Sequence, residues 1–243
     1  MLSLVDVDLG YSQNIVLSKV NLSFKPNEHV AILGPSGVGK TTLLHHLYLQ
    51  LAQQTCLCSQ AQGLVDNLSI YHNVFIGGLA RYSRWYNMAN LLLPFNKPQQ
   101  QIAAICQQLE LTMPLTQKVS ELSGGQRQRV ALARALFQQQ SIFMGDEPFS
   151  ALDPLMGLRL LNLIKQAHQS VICVLHDAEL ALAHFDRIIV ISEGKVVLDD
   201  GADKLSLARL SQHYAVNMIT SLQLIILLIT ALSVCRYCLF YYV

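Results

Sequence analysis

The sequence carries little net charge and no charged run. Its 17 lysines and arginines stand against 16 acids, a formal balance of +1 over 243 residues. A chain that tracks nucleic acid needs a basic stripe or patch, so that class of partner is set aside. No internal repeat appears, which excludes solenoids and blade arrays, although residues 99–108 and 138–140 are rich in glutamine. The six cysteines (Cys56, Cys58, Cys106, Cys173, Cys235 and Cys238) share no repeating spacing. Cys235 and Cys238 form one C-x-x-C with no second pair and no neighbouring histidine, so a zinc site is not expected. Reduced, cytosolic thiols are. Met1 to Asp8 has early acids and no basic start, unlike a secretory leader.

Charge is missing altogether between Leu210 and Cys235. Residues 218–234 read M-I-T-S-L-Q-L-I-I-L-L-I-T-A-L-S-V. As a helix this stretch would measure about 25 Å, and extension through Tyr242 would span a bilayer. The expectation is a domain over 1–215 followed by a hydrophobic tail over 216–243, read as a membrane-associated helix, a helix packed on this domain or its partner, or a gene-boundary artefact with little function.

The chain length suits one sizeable α/β domain. Alternating or apolar runs predict strands at 2–9, 15–24, Val30–Leu33, Ser141–Gly145 and Val171–Leu175. Ile188–Ser192 and Val196–Leu198, joined across Gly194-Lys195, predict a hairpin. Helical patterns run from Thr41, over 99–111, over 126–138 and over Leu155–His168. Strands and helices alternate, which implies a layered α/β domain around a mainly parallel sheet.

Three stretches carry chemistry. Gly34-Pro35-Ser36-Gly37-Val38-Gly39-Lys40-Thr41, followed by Thr42, lies between a predicted strand and a predicted helix. Its glycines let backbone N–H groups converge on a polyphosphate at the helix start. Lys40 would reach the β- and γ-phosphates and Thr41 would ligate Mg²⁺. Second, Ile142-Phe143-Met144-Gly145 ends in Asp146-Glu147. Asp146, at the strand end, suits Mg²⁺, and Glu147, one residue on, suits polarising an attacking water. Third, Leu122-Ser123-Gly124-Gly125-Gln126 opens a helix, and its serine and glycine backbone suits an anion.

With this third stretch the sequence resembles the ABC transporter ATPase family, whose signature is L-S-G-G-Q. The resemblance covers about residues 1–215. It implies a P-loop NTPase fold with a mainly parallel core, an antiparallel β subdomain and a helical subdomain at about 62–135. It implies ATP and Mg²⁺ as ligands, and a dimer in which each ATP lies between one subunit's phosphate loop and the other's Ser123–Gln126. Within it, Tyr11 matches the aromatic that stacks on adenine. Gln60 matches the glutamine that senses Mg²⁺ and the membrane partner. Asp153, in Ser150-Ala151-Leu152-Asp153, matches the loop that communicates across the dimer. His176 matches the switch histidine at the γ-phosphate. Permease subunits, a second ATPase subunit and, indirectly, a solute-binding protein are the implied partners. The implied place is the cytoplasmic face of the membrane, peripheral, with the tail as a candidate anchor.

The family pattern is departed from in one place besides the tail. Only 20 positions separate Lys40 from Gln60, an interval that in the family is longer and carries antiparallel strands. A reduced antiparallel subdomain is therefore expected, and with it weaker support on the adenine side. Two stretches, Gly63 to Val74 and Arg81-Tyr82-Ser83-Arg84-Trp85 with Leu91 to Phe95, resemble the ATP-binding subunits of phosphonate importers. Other small-solute importers, of amino-acid or thiamine type, and a degenerate regulatory subunit are the alternatives.

Overall fold

The structure, a computed structural model, describes residues 2–11, 14–59 and 63–212. The chain opens with an antiparallel pair, β1 (Leu2–Tyr11) and β2 (Asn14–Phe24), which stands as a sheet of its own. The main sheet holds β3 (His29–Leu33), β4 (Thr55–Cys58), β5 (Ile142–Asp146), β6 (Ser170–Val174), β7 (Arg187–Ser192) and β8 (Lys195–Gly201). Its order is β4-β5-β6-β3-β7-β8, parallel except for β8, which folds back on β7.

Helix α1 (Lys40–Leu51) follows β3, and α2 (Ile70–Gly77), α3 (Arg84–Leu92), α4 (Asn96–Gln108) and α5 (Gly124–Gln138) form a helical layer. Two more helices, α6 (Pro154–Ala167) and α7 (Ala178–His184), follow β5 and β6.

Strand period sorts the core into two halves. Val30 and Ile32 face α1 and the β1–β2 sheet, in a cluster with Leu17, Leu43, Leu47 and Ile189. Ala31 and Leu33 face the opposite way, in a cluster with Phe75, Ile102, Phe137, Phe143 and Val190. Both sides of β3 are buried, which is why it reads as an unbroken apolar run rather than an alternation. Phe75 of α2 and Phe137 of α5 meet with ring centroids 6.1 Å apart and are fully buried. Truncating such a ring costs about 3–5 kcal/mol, so this contact joins the helical layer firmly.

The small sheet stops at two strands among the described residues, as the short Lys40–Gln60 interval predicts. Its ladder is irregular: the register shifts between Leu4 and Val7, and Asp6 and Lys19 adopt left-handed φ angles of 52° and 50°. The backbone donors that these bulges free are taken up by side chains. Asp6 N–H donates to Asn21 Oδ1 at 2.9 Å, and Lys19 N–H donates to Asp8 Oδ1 at 2.8 Å. Bulges and charged residues of this kind blunt an open sheet edge. Ser18 N–H also donates to Gly194 O, tying β2 to the β7–β8 turn at 2.9 Å.

The helix expected at 99–111 instead spans Asn96–Gln108. Pro98 is tolerated in the first turn, where its missing N–H has no acceptor to lose. The far end closes with Leu111 N–H donating to Cys106 O and Glu110 N–H to Gln107 O, with Glu110 at φ 54°. This is a Schellman end built on a residue other than glycine, so the sequence carried no stop signal.

Candidate ATP-binding and hydrolysis site

The loop between β3 and α1 forms the floor of an open cleft of about 250 Å³. Ser36, Gly37, Gly39, Lys40, Thr41 and Thr42 line it, with Val16 and Glu147 on its walls. Gly39 is the residue preceding α1 and has φ 106°, a region that side chains rarely adopt. A Cβ there would also sit 2.8 Å from Leu17 Cγ, so β2 presses directly on the loop. Gly34 is pinned likewise, since its Cβ would meet Ile191 O at 2.2 Å. Val38 packs on the core beneath, and Pro35 offers its carbonyl to Lys40.

Lys40 is 6% exposed, and its Nζ donates to Gly34 O and Pro35 O at 2.8 Å each. Burial lowers its pKa, and the Glu147 and Asp146 carboxylates oppose that shift. Thr41 Oγ1 donates to Asp146 Oδ2 at 2.8 Å. Burial pushes the Asp146 pKa up, against the Thr41 hydrogen bond and the nearby Lys40. Burial thus disfavours both charged forms, and the two groups partly offset it as each other's counter-charge.

No cluster of three or more His, Cys, Asp or Glu among the described residues could cage a metal by itself. Mg²⁺ bound with a polyphosphate needs only one or two protein oxygens and keeps waters for the rest. Thr41 and Asp146, two hard oxygen donors converging at the loop, fit that demand.

Glu147 follows β5 with φ 51°, a left-handed conformation that costs a residue with a side chain about 1–3 kcal/mol unless neighbours hold it. They do. Its N–H donates to Val174 O at 3.1 Å, and its carbonyl accepts from Ser150 Oγ at 3.1 Å and Gln128 Nε2 at 2.9 Å. Its carboxylate meets His176 Nε2 at 2.5 Å. The Glu147 side chain lines the phosphate cleft. A carboxylate so held, near a bound phosphate, can orient water for in-line attack.

The Ser123–Gln126 stretch forms a capping box at the start of α5. Ser123 N–H donates to Gln126 Oε1 at 2.9 Å, and Gln126 N–H donates to Ser123 Oγ at 3.4 Å. Capping leaves the Ser123 O–H and the Gln126 amide N–H groups as donors, and a Cβ at Gly124 would meet nothing within 4 Å. None of these four residues lines the phosphate cleft of its own chain.

The sequence profile of the ABC transporter family matches residues 17–150. The chain belongs to this family. The phosphonates import ATP-binding protein PhnC of Pseudomonas putida is 36% identical over 242 residues, covering 87% of this chain and 89% of its own. PhnC 1 of Pseudomonas syringae pv. tomato is 34% identical over 244 residues, covering 88% and 91%. A probable ABC transporter ATP-binding protein, p29 of Mycoplasma pneumoniae, is 30% identical over 234 residues, covering 86% and 95%. Among solved structures, the dimeric post-hydrolysis state of the ATP-binding cassette MJ0796, bound to ADP and Pi, superposes with a TM-score of 0.70 at 26% identity. That match covers 83% of this chain and 99% of the other.

This ABC ATPase therefore has the expected α/β P-loop fold, with a mainly parallel sheet, a separate two-stranded antiparallel sheet and a helical layer. Lys40, Thr41, Thr42 and Glu147 share one cleft, with Asp146 and His176 hydrogen-bonded to its members. Tyr11, 54% exposed, pairs with Asn14 at the hairpin end, two residues from Val16 on the cleft wall. Asp153 caps α6 by accepting from Met156 N–H at 3.0 Å, and shares a second cavity of about 200 Å³ with Glu147 and His176. Gln60 and the 216–243 tail lie outside the described residues. Among the described residues, no helix is long and apolar enough to cross a membrane.

One residue escaped the sequence reading. Gln128 is 4% exposed on α5, and its amide bridges the Glu147 carbonyl and Ala151 N–H. The available signal was a polar residue on a helix face otherwise built from Ala131, Leu132 and Ala135, all buried.

Proposed function

We propose that this chain is the ATP-hydrolysing subunit of an importer for phosphonate or a related oxyanion. It pairs with a second copy, sits peripherally on the cytoplasmic face of the membrane, and drives permease subunits fed by a solute-binding protein. The domain would occupy 1–215, with the tail following it. The observation that carries the hydrolytic reading is the Glu147–His176 pair beside the phosphate loop, at 2.5 Å, with Thr41 and Asp146 joined next to it.

In this reading Tyr11 stacks on adenine, and the Gly34–Thr42 backbone and the Lys40 ammonium hold the β- and γ-phosphates. Thr41 and Asp146 would hold Mg²⁺, with Gln60 completing the set. When bound, Mg²⁺ neutralises charge on the phosphate oxygens. Glu147 accepts a hydrogen bond from water and His176 fixes that carboxylate. The water gives its proton to Glu147 as its oxygen bonds to the γ-phosphorus, the bond to the bridging oxygen breaks, and its electron pair leaves with ADP. Ser123, Gly124, Gly125 and Gln126 of the second copy donate to the γ-phosphate, and Asp153 relays across the same interface. The absence of Ser123–Gln126 from their own chain's cleft favours this two-copy arrangement.

The phosphonate assignment is supported by the names of the relatives and by the helical layer. On and after α3, Trp85, Leu92 and Leu93 are 78%, 78% and 74% exposed, an apolar surface suited to a permease. The test is complementation of a bacterium that lacks its own phosphonate-importer ATPase, supplied with the cognate permease and grown on a phosphonate as sole phosphorus source. Growth that depends on Lys40 is expected. Failure there, with rescue of an amino-acid or thiamine importer instead, would move the solute assignment.

A further inference from the structure

The Ser123–Gln126 stretch and the Glu147 loop belong to different layers of the fold, and two contacts join them. Gln128 lies five residues after Ser123 on the same helix, about 7.5 Å along its axis. Its Nε2 donates to Glu147 O at 2.9 Å, and its Oε1 accepts from Ala151 N–H at 2.8 Å. The other contact is steric: a Cβ on Gly125 would stand 3.0 Å from Ala151 O. The start of α5 therefore rests against the same loop that Gln128 holds. Glu147 meanwhile sits in a left-handed conformation that needs such support.

The character of the bridge sets it apart from packing. A buried amide costs stability unless both ends are satisfied, and the neighbouring buried positions of α5 are apolar. Gln128 spends its amide on two backbone groups of the catalytic loop, Glu147 and Ala151. Any shift of α5 along or about its axis moves that carbonyl and with it the Glu147 carboxylate.

We propose that Gln128 is a positioning residue that couples the two ATP sites of the dimer. This rests on the two-copy reading above. In that arrangement, Ser123 of one copy meets ATP held by the other copy, whereas Glu147 of the first copy acts on its own ATP. Gln128 is the link between those two roles within a single chain. Engagement of the partner's γ-phosphate by α5 sets the carboxylate that hydrolyses the nucleotide in the neighbouring site. Hydrolysis then becomes cooperative in ATP because each site is armed through the other.

Gln128→Met keeps the side-chain volume and removes both hydrogen bonds. Gln128→Glu keeps an acceptor for Ala151 N–H and, when ionised, turns an oxygen toward the Glu147 carbonyl. The measurements are ATP turnover against ATP concentration, binding of a fluorescent ATP analogue, and thermal midpoint, all on the full chain. Both variants should keep ATP affinity within about twofold while kcat falls about tenfold or more, a loss confined to the transition state. The Hill coefficient of turnover should fall from about 2 toward about 1. Parental turnover and cooperativity in folded variants, beside an active parent, would overturn the assignment. So would parallel loss of ATP binding and thermal stability in both variants, which would make Gln128 a folding residue. A parent without ATP turnover would instead overturn the reading of the site on which this one depends.

Discussion

The phosphate side of the cleft and the β1–β2 side are supported very differently. Lys40 is buried against two loop carbonyls, Thr41 is bonded to Asp146, and Glu147 is held at its N–H, its carbonyl and its carboxylate. On the β1–β2 side, Tyr11 and Ile15 are 54% and 64% exposed, on a sheet that has two strands among the described residues. Under the proposed function, the difference follows from what each side must do. Phosphoryl transfer needs donors and a base fixed to fractions of an ångström. A stacked base needs a flat surface, and such contacts contribute only about 0.5–1.5 kcal/mol. In the proposed arrangement, with adenine on the β1–β2 side, a chain can carry a reduced sheet there and keep a hydrolytic site.

The comparison breaks most visibly at Lys40. Lys40→Ala should lower turnover about a thousandfold or more by removing the charge from the phosphates. The fold should survive, because burial already disfavours the charged ammonium. Binding of a fluorescent ATP analogue beside circular dichroism checks both halves. Retained binding at parental affinity would contradict the phosphate assignment.

Asp146 comes next. Its folded pKa is raised by burial, so its stabilising contribution is present below the unfolded value and lost as pH rises through the folded value. Asp146→Asn should cut turnover about 100-fold or more while raising the nucleotide-free thermal midpoint by about 2–4 °C at neutral pH. That gain should shrink as the pH is lowered. A midpoint gap that is constant across pH would contradict the sign.

Much of this was legible in the sequence. The runs ending at Leu33 and Asp146 read as buried strands because the parallel core hides both of their faces, and the loop after one meets the carboxylates at the end of the other at one cleft. The short Lys40–Gln60 interval foretold the two-stranded sheet. The device that repairs its broken ladder, the Asp6 and Lys19 bulges answered by Asn21 and Asp8, left no pattern in sequence, since it depends on cross-strand register. β4 is four residues with two cysteines, too short for a period. α2 has only eight residues and buries Asn73 beside Val74 and Phe75, so it carries no clean amphipathic stripe, although Ser69 caps it. Gln128 was hidden inside the run Gln126-Arg127-Gln128-Arg129, where neighbours in sequence point to different faces.

Effects on the thinner side should be smaller. Tyr11→Ala should raise KM for ATP about three- to tenfold with kcat nearly unchanged, the mark of a contact equal in ground and transition states. An unchanged KM would show that adenine rests elsewhere. Val5, 75% exposed on β1, is the mildest probe. Val5→Lys should alter stability by no more than about 0.5 kcal/mol in urea unfolding. A larger loss would reveal that a segment outside the described residues covers that strand.

The most direct measurement is ATP turnover of the full chain beside its Glu147→Gln variant, with nucleotide occupancy and oligomeric state followed in the same samples. The parent should hydrolyse ATP, and the variant should fall about 100-fold or more while accumulating as an ATP-bound dimer. A variant that hydrolyses at the parental rate, or a parent that binds no ATP, would contradict a hydrolytic site built on one well-supported side.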